Sequence, residues 1–201
     1  VSDFNKQYSH NLNVIPLNEQ GTDAKNAAYG DANWIENVWP KISDIVTGAD
    51  TIIDVGAGNG RRSKFFSEHV SNVYALDCAQ QYENKKYKNI VCENISNVEF
   101  IDADFLDYDF GNKKFDVVYC EGSFYYMSMV HKPEKVFEVI NSIVKDDGYV
   151  IILEGKRPGM WTAENFAEKY DFKFCKVDEE VQWGSVPSKN SLRIMGKKSE
   201  S

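Results

Sequence analysis

The sequence predicts an α/β protein built on a doubly wound, mostly parallel sheet. Three observations predict it. Five short apolar runs, many rich in β-branched residues, recur between residues 51 and 153; amphipathic helical stripes alternate with them; and a glycine-rich turn directly follows the first run. Short continuous apolar runs suit strands buried on both faces. Their alternation with helices implies βαβ units with right-handed crossovers.

Residues 1–31 are polar, rich in Asn, Gln and Asp, and read as an irregular arm or lid. We place that arm at residues 1–33 and a single domain at 34–201. Ile35, Val38, Trp39, Ile42, Ile45 and Val46 form the first helical stripe, with Pro40 inside it and Gly48 as its stop. Proline lacks a backbone donor, so a kink or two short helices is expected. Thr51–Val55 is the first strand, and Phe65, Phe66, His69 and Val70 mark the helix after the glycine turn. Val73–Leu76, Val98–Ile101 and Phe115–Cys120 are the next strands, ending at Asp77, at the acid-rich stretch 102–109, and at Glu121. Lys132–Lys145 reads as a helix, with Pro133 in its first turn and Gly148 just past its end. Tyr149–Leu153 follows as a strand ending at Glu154, and Phe172–Val177 with Ser191–Met195 suggests a closing antiparallel pair.

Composition narrows the function classes. The chain has 201 residues, 42% hydrophobic and 13% aromatic, which suits one globular domain. Its net charge of −8 disfavours nucleic acid as a partner. No apolar run approaches the roughly 18 residues of a membrane span, and no basic-then-apolar leader opens the chain. A cytoplasmic location and no membrane partner are therefore expected, and the opening Val1 suggests a trimmed or excised domain. The cysteines at 78, 92, 120 and 175 show no metal-binding spacing and read as buried reduced thiols. The oligomeric state is left open.

In a doubly wound sheet, ligands sit outside the carboxyl ends of the strands. The glycine turn, Asp77, Asp104, Glu121 and Glu154 all fall there. The turn reads Asp54-Val55-Gly56-Ala57-Gly58-Asn59-Gly60, spaced D-x-G-x-G-x-G. Glycines permit tight backbone and close ligand approach. The dinucleotide fingerprint would need glycine at position 61, where this chain has Arg61. Asp77 lies 21 residues after Gly56, at a strand end from which a carboxylate can accept both hydroxyls of a ribose.

The run Thr51–Gly60, with Asp77 and Val98–Phe105, resembles the class I S-adenosylmethionine-dependent methyltransferases. The resemblance covers residues 34–155 well and 156–196 in general form. It implies a Rossmann-like seven-stranded sheet whose last strand is antiparallel, with S-adenosylmethionine as cofactor. It also implies that Asp54, Gly56, Ala57, Gly58, Gly60, Asp77, Asp104, Phe105 and Glu121 bind that cofactor. Asp54 would lie near the amino-acid moiety, Asp104 would accept the adenine amino group, and the Phe105 backbone N–H would meet the ring. Asp102 rivals Asp104, because one register step exchanges them; Asp104 is preferred.

The segment after the fourth strand, Glu121-Gly122-Ser123-Phe124-Tyr125-Tyr126, lines the reacting centre in that family. It lacks the Asn-Pro-Pro-Tyr type motif of amine and nucleobase methyltransferases, which argues against methylation of a DNA or glutamine nitrogen. A small-molecule acceptor is expected, with a hydroxyl favoured, such as a sugar in a glycan or glycoside. Glu121 is the leading candidate base and His131 the second. Glu121 and Glu154 end neighbouring strands and are the candidate pair for Mg²⁺, although a metal-free site is preferred. Tyr125 and Tyr126, with Tyr8, His10 and Trp34, are candidate acceptor contacts, and core packing is the alternative for Trp34. Arg61 and Arg62 read as solvated charge, with a phosphate-bearing substrate as the alternative. The competing functions are N-methylation of a small amine, a non-catalytic adenosine-ligand module, and, more remotely, an NAD oxidoreductase.

Overall fold

The computed structural model describes residues 32–58, 60–78, 95–124, 127, 132–155, 163–181 and 190–197. A helical segment at 32–37 turns at Val38 into α1 (Trp39–Thr47), with Pro40 in the first turn of α1. This is the expected pair of short helices, because proline tolerates a first turn but not a helix interior. Strand β1 (Thr51–Val55) leads through the glycine turn into α2 (Arg61–Ser67), then β2 (Asn72–Asp77). After β3 (Val98–Asp102) and β4 (Phe115–Glu121) come α3 (Pro133–Ile143), β5 (Val144–Gly155), α4 (Ala163–Lys169), β6 (Phe172–Val181) and β7 (Asn190–Lys197).

The strands form one seven-stranded sheet in the order β3-β2-β1-β4-β5-β7-β6. Strands β1 to β5 pair in parallel. The last strand, β7, is antiparallel to both β5 and β6, as expected. The strand order reverses between β1 and β4, which opens a crevice at their carboxyl ends.

Alternation along the strands builds two cores. Ile53, Val55, Val118, Cys120, Val150 and Ile152 face α3 and α4, meeting Val136, Phe137, Ile140 and Phe166. Ile52, Val117, Tyr119, Ile151 and Leu153 face the other way, under Trp34, Val38, Ile42, Val46 and Phe66. The helical stripe of α1 is thus spent on one face and that of α3 on the other.

One boundary differs from expectation. The α3 helix ends at Ile143, and β5 begins at once, at Val144, in place of Tyr149. Val144 is β-branched and extended (φ −81°, ψ 140°), and pairs with Phe115 of β4. Gly148 is therefore not a helix stop. It lies inside β5, where a Cβ would come within 2.8 Å of the Val144 side chain and 3.0 Å of the Asp116 carbonyl oxygen.

Candidate active site

The glycine turn sits where β1 ends against its two neighbours. The backbone N–H groups of Gly56 and Ala57 both donate to the Leu76 carbonyl, at 2.8 and 3.0 Å, and Gly60 N–H donates to the Ala57 carbonyl at 2.9 Å. Gly56, Gly58 and Gly60 have φ of 77°, 58° and 80°, in the region that side-chain-bearing residues avoid. A Cβ on Gly56 would lie 2.3 Å from the Ser123 Cβ, whose hydroxyl donates to the Val55 carbonyl at 2.6 Å. Above Gly58 the space is open, with nothing within 4 Å of an added Cβ. The turn thus packs tightly on Ser123, just past β4, and among the described residues leaves room beside Gly58.

Carboxylates surround this turn. Asp54 is buried beneath it, 2% exposed, and accepts a 2.6 Å hydrogen bond from the Ser63 hydroxyl. Burial pushes its carboxyl up to about 7; the Ser63 bond and Arg62 oppose this, while the charges of Glu121 and Asp77 add to it. Asp77 ends β2 and accepts the Gly58 N–H at 2.7 Å. Asp102 ends β3 beside Asp77 and is exposed. Asp104 lies two residues on, half-buried, and its carboxylate takes the Leu106 N–H at 2.9 Å. Phe105 is 4% exposed and packs edge-on against Phe110, so only its backbone is available to a ligand.

At the end of β4 the side chains close a ring that was not legible in the sequence. The Arg62 guanidinium grips both oxygens of Glu121, with Nε to Oε2 at 2.8 Å and an Nη to Oε1 at 3.1 Å. The Tyr119 hydroxyl also donates to Glu121, and itself accepts the Trp34 indole N–H at 2.9 Å. The ring closes where Arg62 lies over the Trp34 indole, 4.4 Å from its centroid. Burial, together with Glu121, holds the Tyr119 hydroxyl well above its usual range and so protonated.

Arg62 is therefore not solvated charge; it is 9% exposed, because the β4 carboxylate draws it inward. Trp34 is fully buried and packs against Phe65 and Phe66. Ser63, Ser123 and Tyr119 were missed as site residues. Tyr119 had a usable signal, since it lies two residues before Glu121 and shares its face of the strand. Glu154 ends β5 and is 8% exposed. Among the described residues, no group of three or more His, Cys, Asp or Glu comes together to hold a metal ion. Glu121, half of the candidate Mg²⁺ pair, carries a guanidinium on both oxygens, and that donor set does not fit a metal.

Tyr8, His10, Tyr125, Tyr126 and His131 lie outside the described residues. Of the cysteines, Cys120 is buried as expected, Cys78 is half-buried, Cys175 is exposed, and Cys92 lies outside the described residues. No helix among the described residues is long and apolar enough to cross a membrane.

These features fit an adenosine-bearing sulfonium ligand: a cradle that side chains would fill, a strand-end carboxylate for a ribose, and buried negative charge for a cationic group. Comparison with known proteins agrees. The family model described as "Methyltransferase domain" matches residues 53–152, from β1 into β5. No curated protein matches the chain in sequence. Among solved structures, an S-adenosylmethionine-dependent methyltransferase from Aquifex aeolicus is 18% identical, with a TM-score of 0.60 over 87% of this chain and 97% of that one. The N-methyltransferase NodS from Bradyrhizobium japonicum is 9% identical, with a TM-score of 0.62 over 90% and 98%. The 1,6-didemethyltoxoflavin-N1-methyltransferase of Burkholderia thailandensis is 17% identical, with a TM-score of 0.55 over 87% and 90%. At those identities the structural matches speak for the fold, and the family model speaks for the family. The chain belongs to the class I S-adenosylmethionine-dependent methyltransferases.

Proposed function

We propose that this methyltransferase acts on the nitrogen of a small amine, and that Glu121 is an anchor of the site rather than a base. The observation that carries this reading is the Arg62–Glu121 pair. S-adenosylmethionine supplies an electrophilic methyl group on its sulfonium. A hydroxyl acceptor must lose its proton as it attacks, so it needs a positioned base. The Glu121 carboxylate already accepts two guanidinium bonds and a phenolic one. Protonating it would leave the buried guanidinium without its counter-charge. A neutral amine attacks with its own lone pair and asks only for alignment. The acid-rich ends of β1 to β5 also suit a cationic or amine-bearing guest better than an anionic one.

Asp54, the glycines of the turn, Ala57, Asp77, Asp104 and the Phe105 backbone are the proposed cofactor contacts, and Tyr125 and Tyr126 the proposed acceptor contacts. His131 is retained on sequence position as a proton acceptor. Two of the structural neighbours are named as N-methyltransferases, which accords with this reading without carrying it. O-methylation, including that of a sugar in a glycan or glycoside, is the other arm of the test.

The experiment is a panel of small amines, phenols and sugars incubated with S-adenosylmethionine and scanned by mass spectrometry for one added methyl group. Amines are expected to react, with rates that rise with pH as the free base forms. The variant Glu121→Gln keeps a hydrogen-bonding partner for Arg62, and its loss is expected to stay below roughly tenfold. Methylation of hydroxyls alone, with a loss of about a hundredfold or more in Glu121→Gln, would establish the base role and overturn the proposal.

A further inference from the structure

The ring at the end of β4 reaches further than the ion pair inside it. Arg62 and Ser63 are consecutive residues in the first turn of α2, the helix into which the glycine turn runs. Their side chains cross back to different strands. Ser63 donates to Asp54 of β1 at 2.6 Å, and Arg62 donates to both oxygens of Glu121 at the end of β4. The exit of the turn is thereby tied to the two strands between which the sheet order reverses. Both side chains of the Arg62–Glu121 pair are largely buried, so solvent screens it little.

Two further groups fix the geometry of that pair from behind. An indole N–H only donates, so the Trp34 bond occupies a lone pair of the Tyr119 oxygen and turns the Tyr119 proton toward Glu121. The same indole lies against the Arg62 guanidinium. Trp34 and Tyr119 are fully buried, and Phe66 packs edge-on against both, with ring centroids 6.0 and 5.0 Å away. Displacing either ring would open a cavity in that core. Trp34 lies outside residues 53–152, which the family model matches, so the ring is completed from the segment that precedes the matched domain.

We propose that Trp34 and Tyr119 are positioning residues of the cofactor site. Through the Glu121–Arg62 pair they hold the first turn of α2, and with it the exit of the glycine turn, in the geometry that receives the cofactor. The proposal rests on the assignment of the glycine turn to S-adenosylmethionine. Preorganisation of this kind lowers the ordering cost of binding, so its loss weakens affinity where a loss of packing alone does not. The Trp34 N–H acts through the Tyr119 oxygen, and its contribution vanishes once that oxygen is gone.

The experiment is titration calorimetry of the full chain with S-adenosylhomocysteine, paired with thermal unfolding of the same variants without ligand. Titrations run well below the lowest melting temperature, so that every variant is folded. Tyr119→Phe removes the hydroxyl and keeps its ring, and Trp34→Phe removes the indole N–H and keeps an aromatic face for Arg62. Affinity is expected to fall roughly fivefold to tenfold in Tyr119→Phe and roughly threefold in Trp34→Phe. The double variant should bind no more weakly than Tyr119→Phe alone. Ile42→Ala is the control, because it thins the same core without touching the ring. It should lower the melting temperature and leave affinity unchanged. Should Tyr119→Phe fail to fold, Trp34→Phe read against Ile42→Ala decides the matter. Unchanged affinity in either ring variant, additive losses in the double variant, or an equal loss in Ile42→Ala overturns the proposal alone. A native chain that fails to bind S-adenosylhomocysteine overturns the cofactor assignment as well.

Discussion

Asp54 shows how a single residue can set function against stability. Its carboxyl has an ordinary value of 3.8 and stands at about 7 in the fold, chiefly through burial. The folded protein thus holds a proton between those values that the unfolded chain has lost. The contribution of this group to stability is complete below pH ~4 and is lost as pH rises through ~7. Three pKa units correspond to at most about 4 kcal/mol, and relaxation of the site lowers what is realised. Replacing Asp54 by Asn should raise unfolding stability near pH 8 by about 1–3 kcal/mol and give no gain near pH 4. Urea titrations of both proteins at the two pH values would show it. Equal stabilities at pH 8 would mean that the ionised carboxylate is well solvated in the fold. Asp54 and the glycines could be recognised from sequence because their spacing is a local property. Arg62 could not, because its partner lies 59 residues away.

At the scale of elements, the end of the sheet opposite the site is stitched by Asp116. One of its oxygens accepts the Thr51 N–H at 2.8 Å and the Thr51 hydroxyl at 2.7 Å, and the other accepts Lys145 at 2.6 Å. These contacts tie β4 to β1 and to the start of β5. Burial pushes the Asp116 carboxyl up, but the Lys145 and Thr51 bonds outweigh it and hold it below its ordinary value. Its stabilising contribution is therefore present above pH ~4 and lost as pH falls through the lowered value. Replacing Asp116 by Ala should cost about 1–2 kcal/mol near neutral pH and leave S-adenosylhomocysteine affinity unchanged, read by denaturation and calorimetry. A matching loss of affinity would show that the two ends of the sheet are coupled. The element that sequence periodicity misplaced is close by. Val144 and Lys145 continue the helical pattern of α3, yet pairing with Phe115 and Asp116 draws them into β5. Periodicity reports one face of one segment, and sheet pairing with a distant strand overrides it.

Over the whole molecule, β7 decides whether the sheet is complete. It lies between β5 and β6 and is hydrogen-bonded to both, although it comes last in the chain. Its Leu192 and Ile194 belong to one core and its Met195 to the other. A chain ending after residue 189 would leave two unpaired strand edges and a gap in both cores. It should accumulate as aggregate, measured as lost soluble yield and light scattering. A soluble, cofactor-binding product would show that β1 to β5 form a self-sufficient unit.

By itself the sequence determined the order of the strands and of the helices up to the fifth strand, the glycine turn, and the acids at the strand ends, while α4 went unread. Each of these depends on short-range spacing, on the side-chain period of a strand or helix, or on the conformational freedom of glycine. Only the tertiary structure decided that Arg62 turns inward to Glu121, that Trp34 reaches Tyr119 across 85 residues, and that Asp54 shares its face with Asp77 and Glu121. Those outcomes depend on which strands become neighbours, and on charges whose cost and partners are set by burial. A carboxylate that stands alone at a strand end in one dimension is seen in three to be paired with a guanidinium.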